Sequence, residues 1–223
     1  MYEVHFANKS GGPSCDLNLI SINARMTLEQ FDDLTDDPKY RLDQHERGWN
    51  AAGIAAWRGN HRLVTHIVQK APDTLDLKDG AHMTPLFLAC ASDQISPALR
   101  FDTIATLLQL GADINCAAGG CKDSRPGYTI PTGATPLWAA AQTARSVECV
   151  ALLLNKGAHL GNEPLPPEGQ ATLHQGHDLL NQKRDLLKAS VMDATKMIND
   201  VCGIVTAYAE IPIEDMPRPQ PAV

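Results

Sequence analysis

No apolar run in this sequence of 223 residues approaches the ~20 residues that a membrane-spanning helix requires. A soluble protein without a membrane partner is expected. The first residues, MYEVHFANKSGG, lack both the basic start and the apolar stretch of a secretory signal. A reducing cytoplasm is therefore the expected compartment. A concentrated basic patch is also missing: 19 basic residues stand against 26 acidic ones, for a formal charge of −7. That balance disfavours a nucleic-acid surface, because phosphate binding needs clustered positive charge. The six cysteines, Cys15, Cys90, Cys116, Cys121, Cys149 and Cys202, show no C-x-x-C spacing. Neither a disulfide framework nor a regular zinc site follows from them. Free thiols, no bound metal and no cofactor are the expectation.

The sequence does carry enough apolar residues, 43%, to bury a core. It also repeats itself. GWNAAGIAAWRGNHRLVTHIVQKAPD begins at Gly48, MTPLFLACASDQISPALRFDTIATLLQLGADIN at Met83, and ATPLWAAAQTARSVECVALLLNKGAHL at Ala134. The second and third segments share T-P-L-x-x-A and end on L-L-x-x-G-A. Thr84 and Thr135 can each cap a helix, and Pro85 and Pro136 fit its first turn. Gly111 and Gly157 stand where a left-handed residue closes a second helix.

These motifs resemble the ankyrin repeat, a helix-turn-helix unit opened by T-P-L-H-x-A. The resemblance covers residues 48 to 158 and implies an all-α solenoid of three repeats. The first repeat is divergent, with Asn50-Ala51-Ala52 in place of T-P-L, but it keeps Ala55-Ala56-x-x-Gly59. From Asn50 to Thr84 the interval is 34 residues, near the ~33 of the family, whereas Thr84 to Thr135 is 51. The excess is placed in insertions at about 92–100 and 116–133, the latter loop-like in composition.

The stack should then occupy 46–162. Residues 1–25 read as an extension in which Tyr2, Val4, Phe6, Leu17 and Leu19 alternate as short strands would. Residues 26–45 read as a helical cap, with Thr27 and Gln30 as a capping box. The region 163–210 should be helical, with one long amphipathic helix from about Asp178 to Ala209. Its stripe of Leu187, Val191, Ala194, Ile198, Val201, Val205 and Tyr208 recurs at spacings of 4 and 3. It would fold back over the last repeat, or else serve a partner helix or self-association. Residues 211–223, rich in proline, form a tail.

The ankyrin resemblance implies function as a protein-binding module or adaptor. Counting from Asn50, Thr84 and Thr135, the family's variable surface falls on Arg47, Trp49, Trp57 and Arg58, on Met83 and Ser92, and on Thr132, Gln142 and Thr143. Trp and Arg dominate protein-binding hot spots, so the first group is the foremost candidate. Its tryptophans could instead pack under the N-terminal cap. Trp138, at the signature's histidine position, is expected in the core. A secreted effector or an enzyme regulator would use the same surface. An enzyme would need Cys90 with His82, or Cys149 with His159, and the sequence does not bring either pair together. No catalytic residue is assigned. His174-x-x-His177 lacks the glutamate of a metalloprotease helix and is read as a solvated turn.

Overall fold

The computed structural model describes residues 22, 25–36, 50–93, 95–119, 121–122 and 129–209. The chain divides into two units, Met1–Leu180 and Asn181–Val223.

The first unit is built from helix pairs. Helix α1 (Leu28–Thr35) is followed by α2 (Ala51–Trp57) and α3 (His61–Lys70), α4 (Pro85–Ala91) and α5 (Pro97–Gln109), and α6 (Pro136–Gln142) and α7 (Val147–Asn155). The short first helices stack α2 on α4 on α6, while α3, α5 and α7 form a second layer. Small residues make the close stacking feasible. Ala52, Ala55 and Ala56 of α2, Ala89 and Ala91 of α4, and Ala139, Ala140 and Ala141 of α6 are completely buried. The second layer supplies the bulk, with Leu63 and Ile67, Ile104 and Leu107, and Leu153 fully enclosed. Trp138 is buried as expected, and its Nε1 donates to Pro164 O at 3.3 Å.

Capping explains why these segments are helices. The side chains of Asn50, Thr84 and Thr135 accept from Gly53 N, Phe87 N and Trp138 N. Glycine closes three of the helices in the left-handed conformation, at Gly59, Gly111 and Gly157. In each case the glycine N–H reaches back three residues and the next N–H five, as at Gly157 to Leu154 O and Ala158 to Leu153 O.

The insertion at 116–133 is not an open loop. It contains a two-stranded antiparallel pairing of β1 (Cys121–Lys122) with β2 (Thr129–Ile130), in register Cys121 to Ile130. Its base is closed by Ala118 N to Ala134 O and Gly133 N to Ala118 O, both 2.9 Å. The insertion at 92–100 is a different matter. Pro97 to Arg100 is the first turn of α5, capped where Leu99 N donates to Ser96 Oγ. Arg100 is buried and its guanidinium donates to Ser92 O (2.9 Å) and Ile95 O (3.2 Å), folding the short connection inward.

Helix α1 covers the first end of the stack. Thr27 and Gln30 form the reciprocal capping box, and Phe31 and Ile22 are buried. Asn60, the N-cap of α3, also donates to Met26 O at 3.0 Å. Asp32 Oδ1 receives His66 Nε2 at 2.7 Å and the Lys70 ammonium. The alternation at Tyr2, Val4, Phe6, Leu17 and Leu19, the cap region after Asp36 and the proline-rich tail lie outside the described residues.

Helix α8 runs from Pro167 to Ala209, and so begins well before Asp178. Its first turns include Gly169 and Gly176, though glycine is a poor helix former. Here close approach requires them. A Cβ at Gly176 would lie 2.3 Å from Val150 Cγ1, and one at Gly169 would lie 2.5 Å from Gln142 Oε1. Residues 167–180 thus cover the last repeat, with Thr172 and Leu180 buried. His174 and His177 sit on this helix, exposed, rather than in a turn. In the second unit, residues 181–200 of α8 are exposed throughout.

Candidate partner surface

Each repeat ends in a hairpin whose shape is set by polar side chains. Asp79 is buried, and its Oδ1 accepts from both Ala81 N and Met83 N at 2.8 Å. This turn holds His82 exposed at the tip in the left-handed region, at φ 56°. Successive hairpins are then tied together. Asp113 N donates to Asp76 Oδ1 and His159 N donates to Asn115 Oδ1, each at 3.0 Å. The helices join the same network: Asn50 Nδ2 donates to Leu77 O and Thr135 Oγ1 to His159 O, both 2.8 Å. The hairpin edge is therefore preorganised rather than a row of free loops.

Some of the sequence-derived surface residues are exposed or half-buried. Arg58 is exposed at the C-terminal end of α2. Trp57 beside it is half-buried against the core, and its carbonyl accepts from Ser92 Oγ at 2.8 Å. Thr132 is exposed, with its hydroxyl on Gly119 O at 2.9 Å. Thr143 is half-buried at the C-cap of α6. Arg47 and Trp49 lie outside the described residues.

The rest need correction. Met83 is buried, because the Asp79 turn draws its backbone inward before α4 begins. Ser92 is completely buried, since its hydroxyl is bonded to the neighbouring repeat and its carbonyl to Arg100. Both are structural and neither can meet a partner in this conformation. Gln142 is half-buried, and its Oε1 is enclosed beside Gly169 of α8 with no hydrogen-bond partner. Sequence counting missed Asp79, Asn115 and Arg100 altogether. A short polar side chain beside a glycine, as in Asp79-Gly80, was the available signal for the first.

Neither Cys90 nor Cys149 is set up as a nucleophile. Cys90 is completely buried, and burial pushes its thiol well up, with Cys149 adding to the effect. Burial also raises the Cys149 thiol. Nucleophilic cysteines need the opposite, an accessible site that stabilises thiolate. His82 and His159 are exposed at hairpin tips, while both thiols are enclosed in the stack. The described residues contain no group of three or more His, Cys, Asp or Glu that could hold a metal. The Cys121 side chain falls outside that description.

A family model described as "Ankyrin repeat" matches residues 132–163. That span contains α6, α7 and the hairpin that follows. No curated protein matches the chain. The pairs α2–α3 and α4–α5 precede the matched unit in the stack and share its side-chain-capped first helix, so one ankyrin repeat is matched and the fold around it is similar to a stack of such repeats.

Proposed function

We propose that the repeats hold another protein, as an adaptor does, on the hairpin tips and the exposed ends of the first helices. Ankyrin repeats generally mediate protein–protein interaction, and proteins built from them are typically binding modules rather than enzymes. The observation that carries the reading is Arg58, exposed next to half-buried Trp57 on backbone pinned by Ser92. A rigid aromatic beside a free guanidinium offers large contact area and bidentate pairing at small entropic cost. We assign Trp57, Arg58, Thr132 and Thr143 to this surface, with Arg47 and Trp49 joining them by family register. An enzyme regulator, or a secreted effector that occupies a target's site, would use the same residues. The free thiols of Cys90 and Cys149 suit a cytoplasmic setting, that of the producing cell or of a host. No described helix is long and apolar enough to cross a membrane.

Affinity capture with the natural protein, Arg58→Glu and Trp57→Ala tests this. Trp57→Ala should weaken a captured partner by about 2 kcal/mol, roughly 30-fold, and Arg58→Glu should weaken it without altering the unfolding midpoint. If Trp57→Ala instead lowers stability by a core-sized amount while Arg58→Glu binds normally, the partner surface lies elsewhere.

A further inference from the structure

The exposed part of α8 is not uniformly polar. Leu187 (66%), Val191 (57%) and Ile198 (62%) are largely exposed. With Ala194 they recur at intervals of 4, 3 and 4, and positions 201, 205 and 208 continue the rhythm in sequence. An apolar face sustained for three heptads calls for a second helix.

We propose that this stripe pairs two copies of the chain, with their α8 helices antiparallel. Two properties of the stripe select a second copy in that orientation. The first is volume. Antiparallel pairing about position 196 sets Ala194 of each copy against Ile198 of the other, with Val191 against position 201 and Leu187 against position 205. At the centre the small Ala194 meets the larger Ile198 twice, so the stripe is complementary to itself there under a two-fold axis. Parallel pairing would set Ala194 against Ala194 and Ile198 against Ile198, a void beside a bulge.

The second property is charge. In a parallel pair, Arg184 would continue the core seam and face its own copy, and Lys183 would face Lys188. Reversing one helix separates these basic residues and sets Arg184 against position 208 instead. Six apolar positions on each of two helices, at roughly 60–120 Å² apiece, remove on the order of 1,000 Å² from water. That meets the roughly 1,000 Å² lower limit of a biological interface. The proposal does not depend on the partner surface of the repeats.

Sedimentation equilibrium of the full chain decides it. At about 100 µM the mass should be close to twice 24.1 kDa. Ile198→Asp should weaken dimerisation roughly 100-fold or more, by burying a charge in the seam. Because Ile198 is exposed, the thermal unfolding of the repeats should not change. The orientation is read from Ala194→Lys, Ile198→Glu and the double variant. Antiparallel helices set Lys against Glu, so the double variant dimerises more tightly than either single one. Parallel helices would set Lys against Lys, and the double variant would be the worst of the three. A natural protein that is monomeric at this concentration overturns the proposal, as does a dimer indifferent to Ile198→Asp or a double variant no tighter than its singles.

Discussion

Asn50 and Thr135 make the same two bonds with different chemistry. Asn50 Oδ1 accepts from Gly53 N at 2.6 Å and its Nδ2 donates to Leu77 O at 2.8 Å. The single hydroxyl of Thr135 accepts from Trp138 N at 3.4 Å and donates to His159 O at 2.8 Å. One side chain thus starts the first helix and fastens the following hairpin in both repeats. The divergence of the first repeat from T-P-L leaves this junction intact.

Asn50→Ala should therefore cost about 1–3 kcal/mol, since it removes a cap and leaves the Leu77 carbonyl without this donor. Asn50→Thr should restore much of the loss. Urea unfolding of the two variants measures the difference, and equal destabilisation by both would refute the equivalence.

Leu107→Ala and Leu153→Ala should each cost about 2–5 kcal/mol, because both side chains are fully enclosed between repeats. Leu108→Ala should cost clearly less, since Leu108 is only partly buried. Unfolding should remain a single transition in all three, as each repeat buries its apolar faces against its neighbours. Circular dichroism against denaturant checks both statements.

Gly176→Ala offers a test by sign. In an exposed helix, alanine for glycine stabilises by about 1 kcal/mol. Here the added methyl would meet Val150 at 2.3 Å, so a loss of about 1–3 kcal/mol is expected from overpacking. A gain measured by thermal unfolding would show that residues 167–180 do not lie on the last repeat.

The cap helix should respond to acid. Hydrogen bonds from His66 and Lys70 hold the Asp32 carboxyl below its ordinary value of 3.8. A depressed folded value stabilises the protein at pH above about 3.8, and that contribution is lost as pH falls through the folded value. The natural protein should thus exceed Asp32→Asn in stability near neutrality, and the two should converge in acid. Melting temperatures of both proteins across this range report it.

The fold was largely legible in the residues, because each helix pair is held by local chemistry. Thr84-Pro85 and Thr135-Pro136 start helices, and Gly111 and Gly157 end them, wherever the rest of the chain lies. The surface was less legible, since it depends on what folds over it. Register alone placed Met83 and Ser92 outward. The Asp79 turn and the inward fold of Arg100 reverse both, and each involves residues several positions away. Trp57 was found by its type, but its half-buried setting follows from packing against the core. Helix α8 was read too short because its apolar rhythm begins only at Leu187, whereas its first turns are set by contacts of Gly169 and Gly176 with the last repeat.

The arm between the second and third repeats closes at its base, where Ala118 is bonded in both directions, to Ala134 O and from Gly133 N. The tether from His159 N to Asn115 Oδ1 lies on the stack side of that closure. Whatever stands between Lys122 and Thr129 is therefore separated from the tether by paired backbone. Lengthening a closed loop adds only about 0.6 kcal/mol per doubling. The position is a natural grafting point: a foreign peptide or reporter spliced between Lys122 and Thr129 would be displayed at the hairpin edge without altering the architecture beneath it.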